Sequence, residues 1–257
     1  MISIRHSTAT RANEHLKEAA AKEGETNRAW LSRIKATGGL LLLGGSSIAH
    51  FRIRVAQSHL RNDLSPSFWS IVGLLDGESA FYSVPLDLRE EASDVPRNNG
   101  IVRCSMKEYD DPERFPNIAL IHFSGDHAIP NIIEQVKGQR SVVDLPSLIL
   151  PWLGYVWGAG SRGNPLLEGQ GLPSAAFAET VYGIAGVELT PGLSSASSCP
   201  EAIWQSAKWW REYYEETAQR RPATEGGPAV PKGDYLIRQQ AAAPMAQVKT
   251  PGKRRGK

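Results

Sequence analysis

Apolar and polar positions alternate along the chain in three different regimes. Over residues 11–36, good helix formers carry mixed charges, and Trp30, Leu31 and Ile34 recur at helical spacing. This predicts two short helices broken at Gly24 and ended by Gly38-Gly39, docked through the three apolar side chains. From Leu40 to Phe123 the pattern becomes that of strands. Phe51, Ile53 and Val55 alternate with Arg52, Arg54 and Ala56, a period of two that predicts a half-buried strand with both arginines on its polar face. Trp69–Leu75 is a continuous apolar run closed by the turn dipeptide Asp76-Gly77, and Ala80–Val84 follows at hairpin distance. Ile101–Met106 and Ile118–Phe123 read as two more strands, separated by a turn at Tyr109-Asp110-Asp111-Pro112. Beyond Phe123 the spacing turns helical, over Ile129–Val136, Leu145–Trp157, Ser174–Ala185 and Pro200–Ala218.

Helices, then strands, then helices is an α+β order, so the expectation is an antiparallel sheet of about five strands packed against helices. The expected organisation is an N-terminal helical arm over 1–37, an α+β domain over 38–220, and a disordered basic tail over 221–257. The tail is poor in bulky apolar residues and rich in Pro, Gly, Ala and Gln.

Composition narrows the function classes. A hydrophobic fraction of 41% with 22% charged residues is that of a globular protein rather than a disordered or fibrous one. The net charge of +2 hides an asymmetry. Lys249–Lys257 carries five positive charges and no negative one, which leaves −3 for residues 1–248. An acidic partner or anionic lipid is therefore an expectation for the tail alone. Two cysteines exclude a disulfide scaffold and a four-cysteine zinc ribbon. The longest apolar stretch, Leu145–Gly160, is shorter than the ~20 residues of a membrane helix and contains Pro146 and Pro151. A soluble, cytoplasmic protein is the expectation, with interfacial attachment open and the oligomeric state undetermined. Gly44-Gly45-Ser46-Ser47 lacks the lysine of a phosphate loop, and no cofactor is expected.

Several residues have two readings each. Cys199 directly precedes a helix that opens with Pro200, where a thiol pKa is lowered; the plainer reading is a small half-buried residue. Cys104 alternates with Val102 and Met106 and reads as core. His122 and His127 flank Ser124-Gly125-Asp126, which is a turn, a base with its carboxylate, or part of a metal site. His59 lies in a loop near Asp63, as surface hydrogen-bonding residue or base. Arg52, Arg54 and Arg61 are a solvated face or an anion site. Trp204, Trp209, Trp210, Tyr213 and Tyr214 are helix anchors or a ligand surface. Ser174, after Gly171-Leu172-Pro173, is a helix N-cap or a catalytic position.

Three segments carry a resemblance, one of them Leu40–Arg54, a glycine-rich entry followed by an expected strand. Trp69-Ser70-Ile71-Val72-Gly73 is similar to the Trp-Ser-His-hydrophobic-Gly strand of the circularly permuted papain-like hydrolases of the NlpC superfamily, which includes the lecithin-retinol-acyltransferase-like enzymes. Ser174-Ala175-Ala176-Phe177, with Tyr182, Ala185-Gly186-Val187 and Leu189, resembles the helix that begins with their nucleophilic cysteine. The likeness spans roughly residues 38–205. It implies a papain-like fold, a thiolate at a helix N-terminus and an imidazole from the adjacent strand. This chain has Ser174 and Ile71 at those two positions, and isoleucine transfers no proton. The resemblance thus implies a catalytically degenerate relative that binds a peptide, glycan-peptide or acyl-chain ligand in a retained groove. The alternatives are an active cysteine hydrolase or acyltransferase using Cys199 with His127 or His59, and an interaction protein with no active site. The last of these requires Ser174 and Ile71 to lie far apart.

Overall fold

A computed structural model describes residues 16–86, 97–123, 128–158, 163–218 and 231–240, with the side chains of residues 97 and 210–218 outside the description. The described strands are β1 (Leu16–Glu18), β2 (Gly38–Gly44), β3 (Ile71–Asp76), β4 (Ala80–Ser83), β5 (Val102–Ser105), β6 (Asn117–His122) and β7 (Lys232–Ile237). The helices are α1 (Asn27–Arg33), α2 (Ile48–Ala56), α3 (Ile129–Gly138), α4 (Leu145–Trp157), α5 (Pro173–Ile184) and α6 (Pro200–Ala218). The α+β class holds, but the sheet corrects the expectation of five antiparallel strands. It has seven strands in the order β1-β7-β6-β2-β3-β4-β5, and it is mixed because β1 runs parallel to β7.

The central strand β2 shows why its sequence is continuously apolar. Leu40 and Leu42 face α3–α6, while Leu41 and Leu43 face α1 and the turns beside it. A strand covered on both faces has no polar side to show. On the first face Trp69, Trp152, Phe177 and Trp204 are buried among aliphatic side chains; on the second, Trp30, Phe81, Tyr109 and Phe115 are.

Three local readings are overturned. Residues 51–55 belong to a helix, α2, whose N-cap Ser47 accepts the N–H of His50. Its buried positions are His50, Ile53, Arg54 and Ala56, a helical spacing that includes two polar residues. The apolar alternation therefore pointed to the wrong period. The stretch 232–237, expected to be disordered, inserts between β1 and β6. It is held by backbone pairing and by three side chains, Leu236 in the core, Ile237 packed against it, and Tyr235 against Trp204 at 5.0 Å. Within the expected helical arm, Leu16–Glu18 is a strand and the described helix is the seven residues of α1.

The approach of β7 to β6 leaves no room for a side chain at Gly233, where a Cβ would meet the Leu120 carbonyl oxygen at 1.9 Å. Gly233→Ala is expected to cost about 1–3 kcal/mol, read as a lower urea midpoint. A midpoint equal to wild type would show that this strand is not built into the sheet.

Candidate functional site

The segments that carry the family likeness meet in space. Helix α5 packs its first turn against β3. Its N-cap is Leu172, with Pro173 in the first helical position, so Ser174 lies inside the helix and is not the cap residue. The Ser174 hydroxyl has a different structural task. Strand β4 pairs with β3 only from Leu74 onward, which leaves Val72 without a strand partner on that side. Ser174 Oγ accepts the Val72 N–H at 3.3 Å, and Ser83 Oγ donates to the Val72 carbonyl at 2.6 Å. Two side chains thus replace a missing piece of ladder, as buried backbone groups require.

Ile71, one residue earlier, packs with Leu41 and Leu43 on the α1 face of the sheet. At the open edge of β3 both Ile71 and Ser174 border one small void, together with His50, Ser70, Tyr109 and Leu172. Its volume is about 20 Å³, room for a single water. His50 is the imidazole at this void. It stands edge-on to Phe115 at 5.3 Å and covers Gly45, where a Cβ would lie 2.3 Å from the ring. The sequence reading passed over His50. Its signal was the helical spacing with Ile53, Arg54 and Gln57 behind the Ser47 cap.

The other sequence candidates separate. Cys199 precedes α6, as expected, but its thiol is buried and pushed up to about 12. Burial is the main cause; the N–H groups of Ala202 and Glu201 oppose it, and the Glu201 and Glu179 carboxylates add to it. At neutral pH it is a thiol rather than a nucleophilic thiolate. His59 is exposed in the 3-10 turn Ser58–Leu60, and His127 lies outside the described residues. Cys104 is core, on the α1 face. Among the described residues no group of three or more His, Cys, Asp or Glu is placed to hold a metal.

The arginines also part company. Arg54 is buried, Arg61 pairs with Asp63 at 2.9 Å, and Arg52 donates to the Val156 carbonyl at 2.7 Å. Trp204 is a core anchor against Trp69 at 5.1 Å, whereas Trp209 is exposed.

Open volume lies at the other end of the same helix–strand seam. Eight residues along α5, about 12 Å from Ser174, Tyr182 borders a cleft of about 470 Å³. Its apolar lining includes Leu74, Leu75, Phe123, Ile129 and Ile133, and polar groups come from Asp76, His122 and Glu134. Burial holds the His122 imidazole below its ordinary pKa, with the Asp234 carboxylate opposing. Gly39 has φ +122, and a Cβ there would lie 2.9 Å from His122 Nδ1, so the ring's position depends on that glycine. Asp76 and Glu134 are already paired, with Arg103 and Lys137.

Comparison of the chain with protein-family profiles, curated proteins and solved structures finds no match.

Proposed function

We propose that this chain is a catalytically degenerate relative of the permuted papain-like hydrolases that binds a ligand and does not cleave it. The observation that carries the reading is the meeting of Ser174 and Ile71 at one water-sized void. The strand and the helix of the motif lie together, as that ancestry requires, yet neither position holds a group able to form a nucleophile–base pair. The purely structural alternative needs them apart. A carbonyl substrate also has no room at Ser174, since attack requires contact at ~3 Å. The cleft near Tyr182, within the size range of small-molecule sites, receives the ligand. Its lining mixes aliphatic and aromatic side chains with Asp76, His122, Asn131 and Glu134, which suits a peptide, glycan-peptide or acyl-chain ligand carrying polar groups.

A second reading rests on His50, which borders the same void and would make Ser174 a serine nucleophile. A fluorophosphonate probe separates the two. The native protein is expected to stay unlabelled and to hydrolyse neither acyl esters nor peptidoglycan peptides. Labelling that disappears in both Ser174→Ala and His50→Ala would establish the serine enzyme and overturn the proposal.

A further inference from the structure

Charge enters the Tyr182 cleft with one sign. Asp76 and Glu134 line it, and its lining contains no lysine or arginine. His122 is the one lining group able to become positive, and its pKa is held below the ordinary value, so at neutral pH it does not offset the two carboxylates. Their counter-charges come from outside the lining. Arg103 Nε bonds Asp76 at 2.7 Å, and Lys137 Nζ bonds Glu134 at 2.6 Å.

Lys137 shows what these walls can hold. Its ammonium lies 4.3 Å from the centroid of the Tyr82 ring while bonded to Glu134, and both of those residues line the cleft. A carboxylate and an aromatic face acting on one charge make a cation site. The chain's own side chain fills it, from three residues further along α3. The Glu134 side chain remains 66% exposed in that pair, and the Asp76–Arg103 pair is open in the same way. Pairs so exposed contribute little, so a competing cation parts one at small cost. Next to the carboxylates the wall is apolar, from Leu74, Ile129 and Ile133.

We propose, on the reading that the cleft is the ligand site, that it selects a peptide segment in which a lysine adjoins apolar residues, the ligand's ammonium taking the place of Lys137 between Glu134 and Tyr82. An acyl chain or a neutral glycan brings no cation. A peptide supplies the charge and the apolar neighbours together.

The test titrates the isotope-labelled full chain with acetyl-Leu-Lys-Leu-amide, with its glutamine and glutamate counterparts, and with monooctanoylglycerol, read by the amide signals of Gly38, Gly39 and Tyr182. The lysine peptide is expected to bind about threefold or more tighter than the glutamine peptide, the range of one exposed cation–aromatic contact, with the glutamate peptide weakest. Lys137→Met vacates the cation site. It should tighten the lysine peptide about threefold and leave the glutamine peptide unchanged. Glu134→Gln should abolish the difference between those two peptides. Glu134 is solvent-facing and Lys137→Met keeps a long side chain over Tyr82, so the fold persists, checked by circular dichroism. Equal affinity for the lysine and glutamine peptides, or a Lys137→Met variant that binds the lysine peptide no better, overturns the proposal and leaves the cleft as the ligand site. Binding of monooctanoylglycerol alone does the same. If none of the compounds moves those signals, the cleft is not the ligand site and both readings fall.

Discussion

Replacing Arg54 with alanine is expected to cost about 3–5 kcal/mol, from buried carbonyls left without donors and the cavity that opens. The residue is 1% exposed in the last turn of α2. Its Nε donates to the Ser67 carbonyl at 2.6 Å and its Nη1 to the Gly45 carbonyl at 3.3 Å, while the Ser67 N–H returns a bond to the Arg54 carbonyl at 3.0 Å. One guanidinium therefore ties the helix to the chain leaving β2 and to the chain entering β3. Its partners among the described residues are carbonyls, not a carboxylate. Burial lowers its pKa, and the like charge of Arg61 adds to this. Alanine leaves two buried carbonyls without donors and opens a cavity, and each effect alone is destabilising. Arg54→Lys cannot reproduce the two-pronged contact and should lose a large part of the same stability. Arg54→Met refills the volume and removes the buried charge, so it should fall between alanine and wild type. Urea unfolding at constant m reads the series. An alanine variant within about 1 kcal/mol of wild type would show that these bonds do not hold the entry to β3.

Arg54 also marks what the sequence could not disclose. Regular apolar signals transferred well: the run at Leu40–Leu43 lies in β2, the run Trp69–Leu75 enters β3 at Ile71, and Leu145–Trp157 is α4 to the residue. Pattern reading failed where burial is polar or pairing is remote. In α2 the buried face carries His50 and Arg54, so counting apolar residues assigned the wrong period. In β7 the backbone pairs with β6, more than a hundred residues away in the chain, and with β1. Turn-rich composition conceals a strand that offers little beyond Tyr235, Leu236 and Ile237 to the core. The same split applies to the site. The motif identified which two segments meet, because helix starts and strand runs are local. It did not disclose that Ser174 would serve the Val72 N–H, because that depends on where β4 leaves β3. Nor did it reveal the cleft near Tyr182, which is assembled from the ends of strands and helices distant in sequence.

Glu179 supplies the second large effect, and it is one that changes with pH. The carboxyl is buried on α5, where Oε1 accepts from Thr190 Oγ1 at 2.5 Å and Ser198 Oγ at 2.8 Å. Burial raises its pKa; the two hydroxyls and the backbone N–H groups of Thr190 and Leu189 oppose the rise without cancelling it. A carboxyl whose pKa is higher in the folded than in the unfolded state binds its proton more tightly when folded. Its contribution to stability is then greatest below the unfolded pKa and declines as pH rises through the folded value. Glu179→Gln removes that decline. It keeps an acceptor for the hydroxyls but turns an amide NH₂ toward backbone donors, so at acid pH it should be less stable than wild type by about 1–2 kcal/mol. As pH rises the native protein loses its Glu179 contribution while the glutamine variant does not. The difference between the two stabilities must therefore shrink toward neutral pH. Glu179→Ala, which orphans both hydroxyls and leaves a void, should cost about 2–4 kcal/mol. Subtracting the Glu179→Gln stability curve from that of the native protein isolates this group from every other titration in the chain. A Glu179→Gln difference that stays constant with pH would mean that the folded carboxyl titrates as it does in the unfolded chain. One that widens with pH would mean that the four donors outweigh burial.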